Sequence, residues 1–128
     1  MIQEAVYYRF LPKIRQGKKI VILYLGDFDP SGLNMDETTL EHIKTFAGSL
    51  YPFISFERIA LTWDQIELYN PPPNPVKKKN DGSYSDTRGE KYVALYGPSS
   101  WELDALRPEI LDRLITDSIK VYLRPKTF

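Results

Sequence analysis

At 128 residues, 42% of them hydrophobic and 27% charged, the chain has the size of one domain with a real core, and its composition excludes a disordered polymer. The absence of cysteine excludes disulfides and thiolate metal sites and suits a reducing, cytoplasmic setting. Seventeen basic residues balance seventeen acidic ones, so any grip on nucleic acid must be local, metal-bridged or shared with another domain.

No apolar run approaches the roughly 20 residues of a membrane span, and the N-terminus lacks a signal-peptide core. From Glu4 to Gln16, Ala5, Tyr8, Phe10, Leu11 and Ile14 predict an amphipathic helix, with Pro12 as a blemish. Tyr7 and Tyr8 are better read as core or surface residues than as nucleophiles, since the chain holds nine tyrosines. Basic Lys13, Arg15, Lys18 and Lys19 suit the helix end, and Gly17 supports a stop.

The chain is organised around Val21 to Gly32. An unbroken apolar run of strand length ends at Gly26 and is followed by Asp27 and Asp29, then by a Pro30-Ser31-Gly32 turn. In an open α/β sheet, ligands sit beyond the carboxyl ends of strands, where the next helix N-terminus also points. The bland reading has Asp29 or Ser31 capping that helix and Asp27 solvated. The sharper one is a Mg²⁺ site, because hard cations take oxygen ligands and often combine one or two carboxylates with substrate phosphates.

A helix over Gly32 to Ala47 places Leu33, Leu40, Ile43 and Ala47 on one face and Asp36, Glu37, Glu41 and Lys44 on the other. His42, the sole histidine, has no partner ligand at helical spacing. Phe53 to Leu61 reads as the next strand. Thr62 to Gln65 has the look of a capping box opening a short helix to Tyr69, which makes Asp64 a helix-start acid.

Residues 70–89 form a long Pro- and Lys-rich loop, and loops of that length inside compact domains are functional or disordered. Lys77, Lys78 and Lys79, with Arg88 and Lys91 nearby, are the chain's best phosphate-contact candidates, against a reading as a solvated, mobile loop. Ser85 or Asp86 is expected to cap a helix carrying Tyr92, Val93, Leu95 and Tyr96. Ser99 to Leu106 alternates like a third parallel strand, setting Glu102 and Asp104 on one edge as a second acid pair. Pro108 opens a final helix with a core-facing stripe through Ile110, Leu111, Leu114, Ile115, Ser118, Ile119 and Tyr122. The expected architecture is α/β, a small parallel sheet of three to four strands flanked by helices. Three strands is thin for such a sheet, so a further strand is expected to be missing from this chain or supplied by another part of a longer protein.

At Gly26-Asp27-Phe28-Asp29-Pro30-Ser31-Gly32 the chain resembles a Toprim domain, within that superfamily the branch of the topoisomerase VI A subunit and its meiotic double-strand-break relatives. Residues 70–77, Asp86-Thr87-Arg88 and Ser100 to Leu106 resemble a subgroup of Toprim-like prokaryotic proteins. The resemblance spans roughly residues 20–120. It implies a Rossmann-like fold, Mg²⁺ (or Mn²⁺) held by Asp27 and Asp29, and action on DNA phosphodiester bonds by topoisomerase- or nuclease-like cleavage. It also implies a glutamate on an earlier strand, which has no counterpart upstream of Ile20.

Under that reading Asp27, Asp29 and Glu102 are the catalytic candidates, with Asp104 a further metal candidate. Ser31, Gly32, Lys77, Lys78, Arg88 and Lys91 are the phosphate or nucleic-acid candidates. Two other functions compete. One is a non-catalytic module of the same fold that binds nucleic acid or a companion subunit. The other is a haloacid-dehalogenase-like phosphatase, which also has a strand ending Asp-x-Asp but usually places a flap where this chain predicts a helix.

Overall fold

The computed structural model describes residues 1–123, in the order α1 (Ile2–Ala5), α2 (Leu11–Arg15), β1 (Ile20–Leu25), α3 (Pro30–Ala47), β2 (Ile54–Ala60), α4 (Trp63–Tyr69), β3 (Asn74–Pro75), α5 (Gly89–Tyr96), β4 (Ser99–Ser100) and α6 (Pro108–Tyr122). The class is α/β. A π-helical turn, Val6–Phe10, joins α1 to α2, and the Leu11 N–H reaches back five residues to the Val6 carbonyl. Pro12 has no N–H to donate and its ring crowds the preceding turn, so one widened turn just before it accommodates the ring inside a continuous helical segment.

β1 and β2 pair in parallel, Ile20 opposite Ile54 through Leu25 opposite Ala60, with a register irregularity between Tyr24 and Leu25. The pairing runs on past the strand: the Gly26 N–H donates to the Ala60 carbonyl at 2.9 Å, and the Leu61 N–H to the Gly26 carbonyl at 2.9 Å. Two strands form this sheet, where the sequence predicts three or four. The expected third strand, Ser99 to Leu106, lies differently. Ser99 and Ser100 pair antiparallel with Pro75 and Asn74, Trp101 bridges antiparallel to Phe28, and Leu103–Ala105 turns as a 3₁₀ helix. Its alternation reflects a chain laid with one side against an aromatic core, which a bridge and a turn satisfy as well as a strand does.

Two hydrophobic clusters hold the elements. One gathers Val6, Leu11 and Ile14 against Ile43 and Ala47 of α3 and Ile54 of β2. The other centres on Phe28, Ala60, Leu61, Ile66, Val76, Tyr92 and Leu106 and sits directly beyond the end of β1. The stripe on α6 is only partly covered: Leu111 and Leu114 pack on the second cluster, whereas Ile119 and Tyr122 are each 45% exposed. No helix among the described residues is long and apolar enough to cross a membrane.

Local signals behave as their chemistry dictates. Thr62 and Gln65 close a reciprocal capping box on α4. The α5 helix differs, starting at Gly89 after Arg88 with no side-chain cap. Asp86 serves one step earlier: its Oδ1 accepts the Arg88 N–H at 2.9 Å and its carbonyl accepts the Gly89 N–H at 2.9 Å, a turn that feeds the helix. The long loop is largely built into the fold. Buried Val76 donates to the Pro98 carbonyl, Lys78 bridges to Tyr84, and Gly82 takes a φ of +87° in the turn between them.

A candidate cation and phosphate cleft beyond the end of β1

Every feature of the site follows from how the chain leaves β1. Phe28 turns inward, 4% exposed, with its ring against Trp63, Tyr92, Tyr96 and Trp101 at centroid distances between 4.8 and 6.3 Å. Its backbone exchanges both hydrogen bonds with Trp101, at 2.8 and 2.9 Å. Burying the middle residue of Asp27-Phe28-Asp29 leaves the two flanking carboxylates on the outer side, as alternation in extended chain requires.

Asp29 is the N-cap of α3. Its backbone is extended (φ −152°), its Oδ1 accepts the Gly32 N–H at 2.5 Å, and Pro30 occupies the first helical position. The bland expectation for Asp29 therefore holds. Asp27, expected to be solvated if not a ligand, has a structural partner as well: its Oδ1 accepts the Leu103 N–H at 2.8 Å and ties β1 to the 3₁₀ turn. Gly32 is required by close approach, since a Cβ there would collide with the Asp27 carbonyl and meet Asp29 Oδ1 at 2.8 Å.

Asp27, Asp29 and Ser31 open into a cleft of about 530 Å³, with Trp101 and Glu102 on a second side and Lys77 and Asp86 from the long loop on a third. Four carboxylates thus face one lysine. Asp86 is already neutralised: Arg88 Nε and Nη2 donate to its two oxygens at 2.7 and 2.6 Å. That bidentate contact holds the Asp86 carboxyl below its usual range and raises the guanidinium.

Several sequence candidates fall outside the cleft. Asp104 sits on the 3₁₀ turn and is not part of the lining. Gly32 is buried behind it. The Lys78 ammonium lies over the Tyr84 ring, 5.3 Å from its centroid. Arg88 and Lys91 line a neighbouring groove of about 480 Å³ between α3 and α5, which meets the acid cleft at Pro30. His42 is exposed on α3.

Among the described residues no three His, Asp or Glu side chains come close enough to hold a metal ion by themselves. The four cleft carboxylates are therefore spread around a wide opening and do not converge on a point. A Mg²⁺ ion fits here on narrower terms. Asp27 and Asp29 each commit Oδ1 to a backbone N–H, and Mg²⁺ typically binds one or two carboxylates while waters and phosphate oxygens complete its octahedron. The donor set suits an ion shared with a phosphate ligand and does not suit an all-protein cage.

Sequence reasoning missed Arg58 and Asp36. Arg58 Nε and Nη2 donate to the two carboxylate oxygens of Asp36 at 2.6 and 3.0 Å, with the side chains only 11% and 22% exposed. The helical wheel sends Asp36 to the solvent side of α3, which the structure corrects. The available signal was the one cation inside the mostly apolar segment Phe53 to Leu61, whose other polar residues are Ser55 and Glu57. Tyr92 is another missed member: its hydroxyl donates to the Ser99 carbonyl at 2.8 Å beneath the Phe28 turn, and burial, reinforced by the Asp29 charge, pushes its phenol well above 10.

Fold and site together define an α/β domain with an acidic cleft beyond a parallel strand. No protein-family model, curated protein or solved structure matches the chain.

Proposed function

We propose that the chain is a Mg²⁺-dependent, Toprim-type domain that acts on DNA phosphodiester bonds through the cleft beyond β1. One observation carries the reading: the turn around buried Phe28 brings Asp27 and Asp29 to the same opening as Glu102, Ser31 and Lys77. When bound by the two aspartates, Mg²⁺ supplies a positive centre that polarises a phosphate oxygen and offsets the charge developing on it.

The chain's own residues do the rest. Asp27 and Asp29 hold their carboxylates in place through the Leu103 and Gly32 amides, so little reorganisation is needed on binding. The Lys77 ammonium meets an adjacent phosphate, and the Ser31 hydroxyl, in the first turn of α3, donates to a phosphate oxygen. Glu102, across the opening, is placed to accept a proton from the attacking hydroxyl or return one to the leaving oxygen. Lys91 lies one groove away, where it would meet a flanking phosphate, while Arg88 in the same groove is already paired with Asp86. Asp104 has no role in this scheme.

A second reading, a non-catalytic module that binds nucleic acid, is favoured by the spread of the acids and by the lack of a three-ligand cluster among the described residues. The phosphatase reading loses ground because α3 begins at Pro30, directly after Asp29, with no flap between them. Nicking of supercoiled plasmid in Mg²⁺ or Mn²⁺ by the wild type, Asp27→Ala, Asp29→Asn and Glu102→Gln separates the readings. The expected result is cation-dependent nicking that falls by about 10²–10⁴-fold when Glu102 loses its acid–base function. Retarded DNA without nicking supports the second reading, and equal activity in all four proteins removes these acids from the mechanism.

A further inference from the structure

We infer that Arg58, held by Asp36, is the positioning residue that sets the separation of the two cleft aspartates. The inference rests on the cation-site reading of the cleft and names the part of the chain that controls it. Arg58 stands on β2, not in the motif, yet its guanidinium brackets the motif at both ends. Nη1 donates to the Gly26 carbonyl at 2.8 Å, immediately before Asp27, and Nη2 donates to the Gly32 carbonyl at 3.2 Å, just after Ser31. Nη1 also reaches the Leu61 carbonyl at 3.0 Å, which ties the same group to the end of its own strand.

Asp36, one turn further along α3, fixes the plane of the fork by its bidentate contact. The Tyr24 ring lies on the other side, 5.5 Å from the guanidinium carbon. Gly26 completes the arrangement: a Cβ there would stand 2.8 Å from the Tyr24 ring and 3.2 Å from Arg58 Nη2. The side chain therefore ties together three backbone segments, two of which flank the turn carrying Asp27 and Asp29. Lysine has three donors on one point and no planar fork, so it cannot satisfy Asp36 and the three carbonyls together.

The test uses the full chain with Arg58→Lys and, as the milder perturbation, Asp36→Asn, which keeps an acceptor at the same place. Two readouts are taken: amide hydrogen exchange at Gly32 and Leu103, the donors to the two aspartates, and Mn²⁺ affinity by calorimetry. Supporting groups around a metal site typically change its affinity by about 10–100-fold, and a loss in that range is expected for Arg58→Lys in protein that keeps its helical circular dichroism. Exchange at Gly32 and Leu103 should accelerate while Ile22, inside β1, stays protected. Added to Asp27→Asn, Arg58→Lys should weaken Mn²⁺ binding by a smaller factor than it does in the wild type, because the separation it sets then holds only one of the two ligands.

Should Arg58→Lys unfold the chain, Asp36→Asn decides by the same two readouts. Folded variants with wild-type exchange at both amides overturn the inference. So does unchanged Mn²⁺ affinity in variants whose exchange has accelerated. A wild type that binds no Mn²⁺ refutes the cation reading instead, and the exchange data then still decide whether Arg58 sets the turn.

Discussion

Replacing Phe28 by alanine is the sharpest test of how the cleft is built. The ring is 4% exposed and touches Trp63, Tyr92, Tyr96 and Trp101, so little surrounding space can collapse into the vacancy. Truncating a buried phenylalanine to alanine costs about 3–5 kcal/mol through lost transfer energy and a residual cavity. A chain of this length stands between size classes for which 1 kcal/mol shifts the melting temperature by about 4–8 °C and 2–4 °C, so a fall of roughly 10–20 °C is expected. Because native domains hold about 5–15 kcal/mol in all, the variant should still fold in the cold. The two backbone bonds between Phe28 and Trp101 survive the change.

The assay is built into the protein. Trp63 and Trp101 are its only two tryptophans, and both pack on Phe28. Tryptophan emission, excited at the red edge of the absorption band where the nine tyrosines do not absorb, therefore reports this cluster, and it should shift to the red in Phe28→Ala before any heating. A melting temperature lowered by less than about 3 °C, equivalent to under 1 kcal/mol, with unchanged emission would refute the idea that Phe28 is what turns the two aspartates outward.

Other outcomes follow from single contacts. Asp29→Asn keeps a good N-cap and should leave stability nearly unchanged while lowering Mn²⁺ affinity. Asp29→Ala should in addition lose about 1 kcal/mol on denaturant titration, and equal stability of the two variants would remove the capping role. The Tyr92 phenol is raised, so the folded chain retains a proton that the unfolded chain releases above pH 10. Its stabilising contribution is complete below pH 10 and is lost as pH rises from there toward the folded value. Tyr92→Phe should flatten that alkaline limb in thermal melts between pH 9.5 and about 11.5, and an unaltered slope would assign the limb to other groups.

Much of the site was legible because it rests on short-range chemistry. An apolar run ending in glycine announced β1, Thr62 and Gln65 announced their capping box, and Asp29-Pro30 announced the start of α3. These depend on side chains reaching backbone groups three or four residues away, so sequence neighbours contain the whole argument. The acidic character of the strand end is a property of the chain's order in the same sense, whereas Lys77 reaches it only through the fold.

Contacts between distant residues were decided by tertiary structure alone. Glu102 and Asp104 look equivalent in the alternating run, yet the 3₁₀ turn, begun when Asp27 takes the Leu103 amide, keeps Glu102 on the cleft and moves Asp104 off it. Asp36 looks solvated on a helical wheel until β2 brings Arg58 beneath it. Phe28 reads as a spacer between two acids until four aromatic rings from three separate segments close around it. Which apolar or charged group meets which partner across 22 to 76 residues is a matter of burial and packing shape, and no local periodicity encodes it.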